Sequence, residues 1–353
     1  MKILLEKNDI KFIHLDDKTC IYFDGKLIYE YVFEKRLCVF LFESDKDSNI
    51  TYLYLNENQM VIRYNSGEGE IYDFRSKYIE TIPYDVDKPC IVSDLIVVMD
   101  FDYDAMLYIS NLFNIKENEL MFSEWLYENL FFLDNYLFSK QDQSIKLFNL
   151  EGTEIWQFSI SDFPYYINHF GEERKPEIEQ IIGIYNNILW VYASQNSFLG
   201  IDIVTGNLVY HIEDIPSFLG LQGDSRLGFS VYTIHLDQNA GVLKSFAFRY
   251  YFEVDLNTLT GKMKRDFGKW EDGWRINRSS FRQEEPNLLF FSGMYKLVDT
   301  TPNAFGIFDT EKAEIIWHET RKEGQGFFNK PIQVNEKLLA VLDDECNLII
   351  YER

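Results

Sequence analysis

What most restricts the fold of this chain is a β-hairpin pattern that returns at intervals of roughly 50 residues. Its clearest copy has Leu199, Ile201 and Ile203 alternating with other residues up to Thr205-Gly206, after which Leu208, Tyr210 and Ile212 resume the alternation. Apolar residues at every second position on both sides of a short glycine-containing turn specify two antiparallel strands. Asp202, three residues before Thr205, is placed to accept backbone N–H groups as the chain reverses. Further turns fall near Asp24, Gly67, Lys116, Glu151, Gly261 and Glu311. Additional short strand patterns precede several of them, at residues 37–42, 51–55, 130–133, 136–138, 181–185 and 188–192.

Each repeat therefore reads as four strands. A lone four-stranded sheet cannot cover both of its faces, whereas sheets stacked side by side bury each face against a neighbour and leave only short edges. The expectation is an all-β chain, a seven-bladed β-propeller of four-stranded antiparallel blades, forming a single domain over residues 1–353. Residues 337–342 and 347–351 are strands with no hairpin after them, and residues 1–5 are a strand with no partner before it. Pairing of the N- and C-terminal strands in one shared blade would satisfy both edges. Eight blades is the alternative, because about 66 residues separate the last turn from the first around the closed chain.

Composition fits sheets: 17% of residues are aromatic, and only 8 are proline. The 57 acidic against 34 basic residues leave a formal charge of −23. Such a field repels phosphate backbones and anionic headgroups and speeds encounter with a basic protein. The partner expected is thus a basic protein, with no nucleic acid and no membrane, and the free chain is expected to be a monomer. The first 15 residues contain no uninterrupted apolar stretch, so a cytoplasmic location is expected. Cys20, Cys38, Cys90 and Cys346 are scattered without a CxxC, the pattern of free thiols in a reducing compartment.

The motif aliphatic-x-aliphatic-Asp-x-x-Thr-Gly, followed by an outer strand bearing an aromatic residue, resembles the blades of quinoprotein-like propellers. Asp202, Thr205 and Gly206 match it, Trp156 and Trp317 stand at the outer-strand Trp position, and Tyr210 replaces Trp in its own blade. Asp255 with Thr260-Gly261, and Asp309-Thr310, are looser copies. The resemblance covers about the C-terminal two-thirds and implies a fold, not an activity. The adjacent cysteine pair of quinone-dependent dehydrogenases is absent, as are a lipobox cysteine and the Gly-His and Trp-Asp marks of WD-type blades.

No GxSxG, GxxxxGK[ST], HExxH or helix-opening GxGxxG occurs, and no catalytic residue, metal ligand or cofactor is assigned. Asp100, Asp102 and Asp104 have the spacing of a calcium loop, but Ala105 and Asn111 stand where such a loop needs Gly and Glu, which leaves an acidic loop. Residues 262–282 are locally basic, with Trp270 and Trp274 interleaved; internal ion pairing outweighs nucleic-acid stacking there. The connection over residues 161–176 is longer than two strands require and carries Tyr165, Tyr166, Glu172 and Glu173. The partner-binding residues expected are Tyr165, Tyr166, Trp270 and Trp274 as apolar anchors, with Asp100, Asp102, Asp104, Glu172 and Glu173 steering. The function expected is a non-enzymatic, acidic protein-binding propeller, most concretely an immunity or inhibitor protein that neutralises a basic toxin. The alternatives are a hydrolase or sugar-binding protein with carboxylates in a central channel, and a general scaffold.

Overall fold

The computed structural model describes residues 1–17, 19–44, 48–55, 58–89, 94–167, 171–194, 197–213, 229–247, 249–268, 273–296 and 301–353. Their strands form eight four-stranded sheets, each a simple antiparallel meander, and one two-stranded hairpin. Seven sheets follow chain order, bounded by residues 12–43, 50–82, 85–120, 130–159, 178–212, 235–266 and 274–320. The eighth joins Gln333–Val334, Leu338–Leu342 and Leu348–Glu352 to Lys2–Lys7, the first strand of the chain. The fold is a β-propeller of eight blades.

Seven blades was the first expectation, and eight is the finding. All seven recognised turns are present, but they do not occupy equivalent places. Those near Asp24 and Gly67 join the second and third strands of their blades, and the other five join the third and fourth. In the eighth blade the third and fourth strands come from opposite ends of the chain, so no turn links them. Lys2 pairs with Glu352 and Lys7 with Leu348. Its second and third strands are joined by a reversal at Asp343–Asn347, where Asp343 accepts N–H groups from Gly326 at 2.8 Å and Asn347 at 2.8 Å.

The chain divides into two compact units. One comprises Met1–Phe42, Tyr165–Val204 and Leu208–Arg353, and the other Glu43–Pro164 with Thr205–Asn207. In the first, apolar layers join the fifth blade to the sixth (Trp190, Phe198, Phe252), the sixth to the seventh (Phe246, Tyr251, Phe308) and the seventh to the eighth (Phe290, Phe305, Tyr351). A further layer joins the eighth to the first (Tyr22, Leu342, Ile350). In the second, layers join the second blade to the third (Val61, Val98, Phe113) and the third to the fourth (Val97, Leu112, Leu137). Middle strands are buried on both faces, as in Leu338–Leu342, while fourth strands such as Glu314–Thr320 alternate between exposed and half-buried.

Polar side chains also tie neighbouring blades in the first unit. Gln333 accepts the Leu15 N–H at 2.6 Å and donates to the Ile13 carbonyl at 2.7 Å. Gln283 donates to the Leu236 carbonyl at 2.6 Å. Buried Lys244 pairs with Asp237 at 2.9 Å and donates to the Pro286 carbonyl in the next blade.

Candidate protein-binding surface

Among the described residues, the third blade contains a group of strongly exposed apolar side chains close together in sequence. Leu95–Asp102 and Leu107–Asn114 pair from Leu95 with Asn114 to Asp102 with Leu107. Near Leu95 the hairpin is core: Val97, Val98 and Leu112 are fully buried between adjacent blades. Toward the turn the apolar residues continue but the cover does not. Tyr103 is 80% exposed, Met106 69%, Tyr108 68% and Leu107 53%. Phe101 meets the rings of Tyr103 and Tyr108 edge-on, each at 5.1 Å between centroids.

Three contacts hold this tip in shape. Asp102 Oδ1 accepts the N–H groups of Asp104 (2.9 Å) and Ala105 (3.0 Å), closing the turn. Asp102 Oδ2 accepts the hydroxyl of Tyr127 at 2.5 Å, which brings a further half-exposed aromatic ring beside the tip. Tyr127 is itself carried by a segment fixed to the strand Leu107–Asn114 through reciprocal Ser110–Leu126 backbone bonds and a bond from Ser110 Oγ to the Glu128 carbonyl. Hydrogen bonds from Tyr127 and from the two turn amides hold the Asp102 carboxyl below the usual range, and the same partner pushes the Tyr127 phenol up. Residues 99–115 contain Asp100, Asp102 and Asp104 and no lysine or arginine. The tip is therefore ordered, aromatic and negative. With both carboxylate oxygens committed to the turn and to Tyr127, Asp102 acts as a structural acceptor.

The other expected contact residues are placed differently. Trp274 is a correction: only 8% exposed, it stacks on Tyr295 at 4.5 Å and meets Phe291 and His318 edge-on, in the layer between the sixth and seventh blades. It begins the strand Trp274–Phe281, so its ring alternates into the core and cannot anchor a partner. Trp270 lies outside the described residues. Tyr165 is half exposed beneath the Lys175 ammonium, 5.8 Å from its ring. Tyr166 pairs with Arg174 in the small hairpin Tyr166–Ile167 and Glu173–Arg174. Glu172 forms an ion pair with Arg174 at 2.5 Å, and Glu172, Glu173, Arg174 and Lys175 sum to no net charge. That hairpin lacks the field of the third-blade tip.

Side chains from the basic stretch engage in ion pairs or aromatic contacts. Lys264 meets Glu253 at 3.3 Å, Arg282 meets Asp17 at 2.7 Å, and Arg278 lies 4.0 Å over the Tyr232 ring. Arg353 clasps Glu285 through two 2.7 Å bonds. Cys20 is buried and free, and burial pushes its thiol up to about 12; Cys38 and Cys346 are also free, and Cys90 is outside the described residues.

Sequence reading singled out the three aspartates but missed Tyr103, Met106, Leu107, Tyr108 and Tyr127. The available signal was the run from Leu95 to Met99, long enough for the buried part of a strand by itself. The apolar residues beyond Met99 in this hairpin tip are surplus to that core and form surface.

The sequence matches no protein-family model and none of the curated proteins. Several solved structures share the fold. The computationally designed Ika8 protein aligns over 100% of both chains at 13% identity with a TM-score of 0.62. BamB from Moraxella catarrhalis aligns over 100% of this chain and 99% of its own, at 12% identity and TM-score 0.64. Sqt1 from Saccharomyces cerevisiae covers 98% and 96%, at 10% identity and TM-score 0.64. Identities this low carry the fold alone.

Proposed function

We propose that this chain is a non-enzymatic, protein-binding β-propeller that engages a basic partner through the tip of its third blade. The observation that supports this is the tip itself, where five large exposed apolar residues lie beside Asp100, Asp102 and Asp104 with no base among residues 99–115. Exposed Tyr and Met are the side chains that become interface anchors, and carboxylates around them raise the on-rate of a positive partner while disfavouring acidic ones. The formal charge of −23 extends the same preference over longer range. In its most specific form the reading is a cytoplasmic, monomeric inhibitor that covers a basic toxin or nuclease, as acidic immunity proteins do.

The experiment compares wild type with Tyr103→Ser/Tyr108→Ser in pull-downs at low and moderate salt, followed by affinity measurement with the purified partner. The expected result is one basic partner retained at moderate salt by wild type. The double variant, at unchanged melting temperature, should bind it at least about 100-fold more weakly, from two anchors worth roughly 1.4 kcal/mol or more each. Equal binding by the variant, or a set of basic proteins all lost together with salt, contradicts the proposal.

A further inference from the structure

A second surface has the opposite sign. In the seventh blade an open hollow of about 450 Å³ is lined by Tyr295, Lys296, Asn303, Arg321, Lys322 and Glu323, among others. Among its described lining residues three cations stand against one carboxylate, in a protein with an overall charge of −23. The walls are well supported. Asn303 is buried and holds both backbone groups of Tyr295, accepting its N–H at 2.7 Å and donating to its carbonyl at 3.1 Å. Tyr295 stacks on buried Trp274. The Arg321 N–H donates to the Asn303 carbonyl at 2.7 Å, and Arg321 Nε donates to the Gln325 carbonyl at 2.5 Å. The guanidinium plane lies 4.4 Å over the Phe327 ring. These contacts orient the side chain without neutralising it.

Among the described residues neither Lys296 nor Arg321 has a carboxylate partner, whereas Lys322 forms an ion pair with Glu319 at 3.8 Å. The Lys296 ammonium sits 5.3 Å from the Tyr295 ring. Elsewhere in this blade Lys312 pairs with Asp309 at 2.6 Å. The positive charges of Lys296 and Arg321, both lining one hollow, repel each other, a cost that a bound anion would remove.

We propose that this hollow binds a small phosphomonoester carried on an aromatic or apolar body. Lys296 as a point charge and Arg321 as a planar donor that bonds in pairs are the side-chain types that hold a tetrahedral dianion. Tyr295 supplies an apolar wall for the ligand's body. The site is independent of the third-blade tip.

The test is calorimetric titration of the intact protein with phenyl phosphate, with phenylacetate and inorganic phosphate as separate arms. Saturable binding of phenyl phosphate is expected, at least tenfold tighter than of either comparator. R321Q and K296Q should each weaken it about tenfold. E323Q should tighten it severalfold, a change that loss of structure cannot mimic, and all three variants should keep the wild-type melting temperature. No saturable binding of phenyl phosphate overturns the proposal, as do equal affinity for phenylacetate, affinity unaltered in R321Q and K296Q, or weakening in E323Q.

Discussion

Asp237 performs two tasks with one carboxylate. Its Oδ1 accepts the N–H groups of Asn239 and Ala240, and its Oδ2 meets the Lys244 ammonium inside the sixth blade, both side chains being under 7% exposed. Asp237→Asn keeps the turn acceptor but leaves a buried ammonium without its counter-charge, so chemical denaturation should show a loss of about 3–5 kcal/mol. Two residues earlier His235 stacks on Phe281 and lies 2.8 Å from Ser279 Oγ. Burial pushes its pKa from 6.5 down to about 4. Between those values the unfolded chain binds a proton that the folded chain does not, so stability falls as pH drops from 6.5 toward 4 and levels off below. At 1.36 kcal/mol per pH unit the effect is at most about 3 kcal/mol. Denaturation at a series of pH values should show this slope in wild type and a flatter one in His235→Gln. The sequence shows that these residues are polar within strands, but pairing Asp237 with Lys244 needs two strands of the sixth blade side by side, and setting His235 against Ser279 and Phe281 needs the seventh blade beside it.

At the scale of elements, the device read at Asp202 recurs through the molecule. Asp202 accepts the Val204 N–H at 3.1 Å, Asp24 those of Lys26 and Leu27, Asp73 those of Arg75 and Ser76, and Asp255 those of Asn257 and Thr258. Asn114, Asn149 and Asn335 do the same in other turns. An acceptor two to four residues ahead of the N–H groups is local, which is why it was legible without a fold. The Thr-Gly after Asp202 needed the fold for its explanation. Gly206 has a φ of +71°, and a Cβ built on it would lie 2.7 Å from the Trp156 indole. The glycine thus provides both the backbone of the turn and the space for the ring. Gly206→Ala should destabilise by roughly 2 kcal/mol, combining left-handed strain with overpacking, read as a lower denaturation midpoint at constant slope. Phe138 also packs on Trp156, at 6.2 Å, and Trp190 stacks on Tyr210 at 5.9 Å, so tyrosine fills the corresponding role one blade on.

At the scale of the whole molecule, the eighth blade depends on residues at opposite ends of the chain. Removing residues 1–7 would strip the fourth strand from that blade and leave Leu348–Glu352 as an unpaired edge beside a buried core. The truncated protein should melt at lower temperature and associate in a concentration-dependent way by light scattering, whereas an intact chain with Lys2→Ala should not. The sequence by itself determined the strands, most of the turns and the all-β class, because period-two apolarity and turn chemistry act over a few residues. It also determined the long-range field, since net charge needs no coordinates. Only the tertiary structure decided the number of blades, the burial of Trp274 and the exposure of Tyr103, Met106 and Tyr108. An apolar side chain has the same composition and spacing whether a neighbouring blade covers it or not, and that cover is set by sheets distant in the chain.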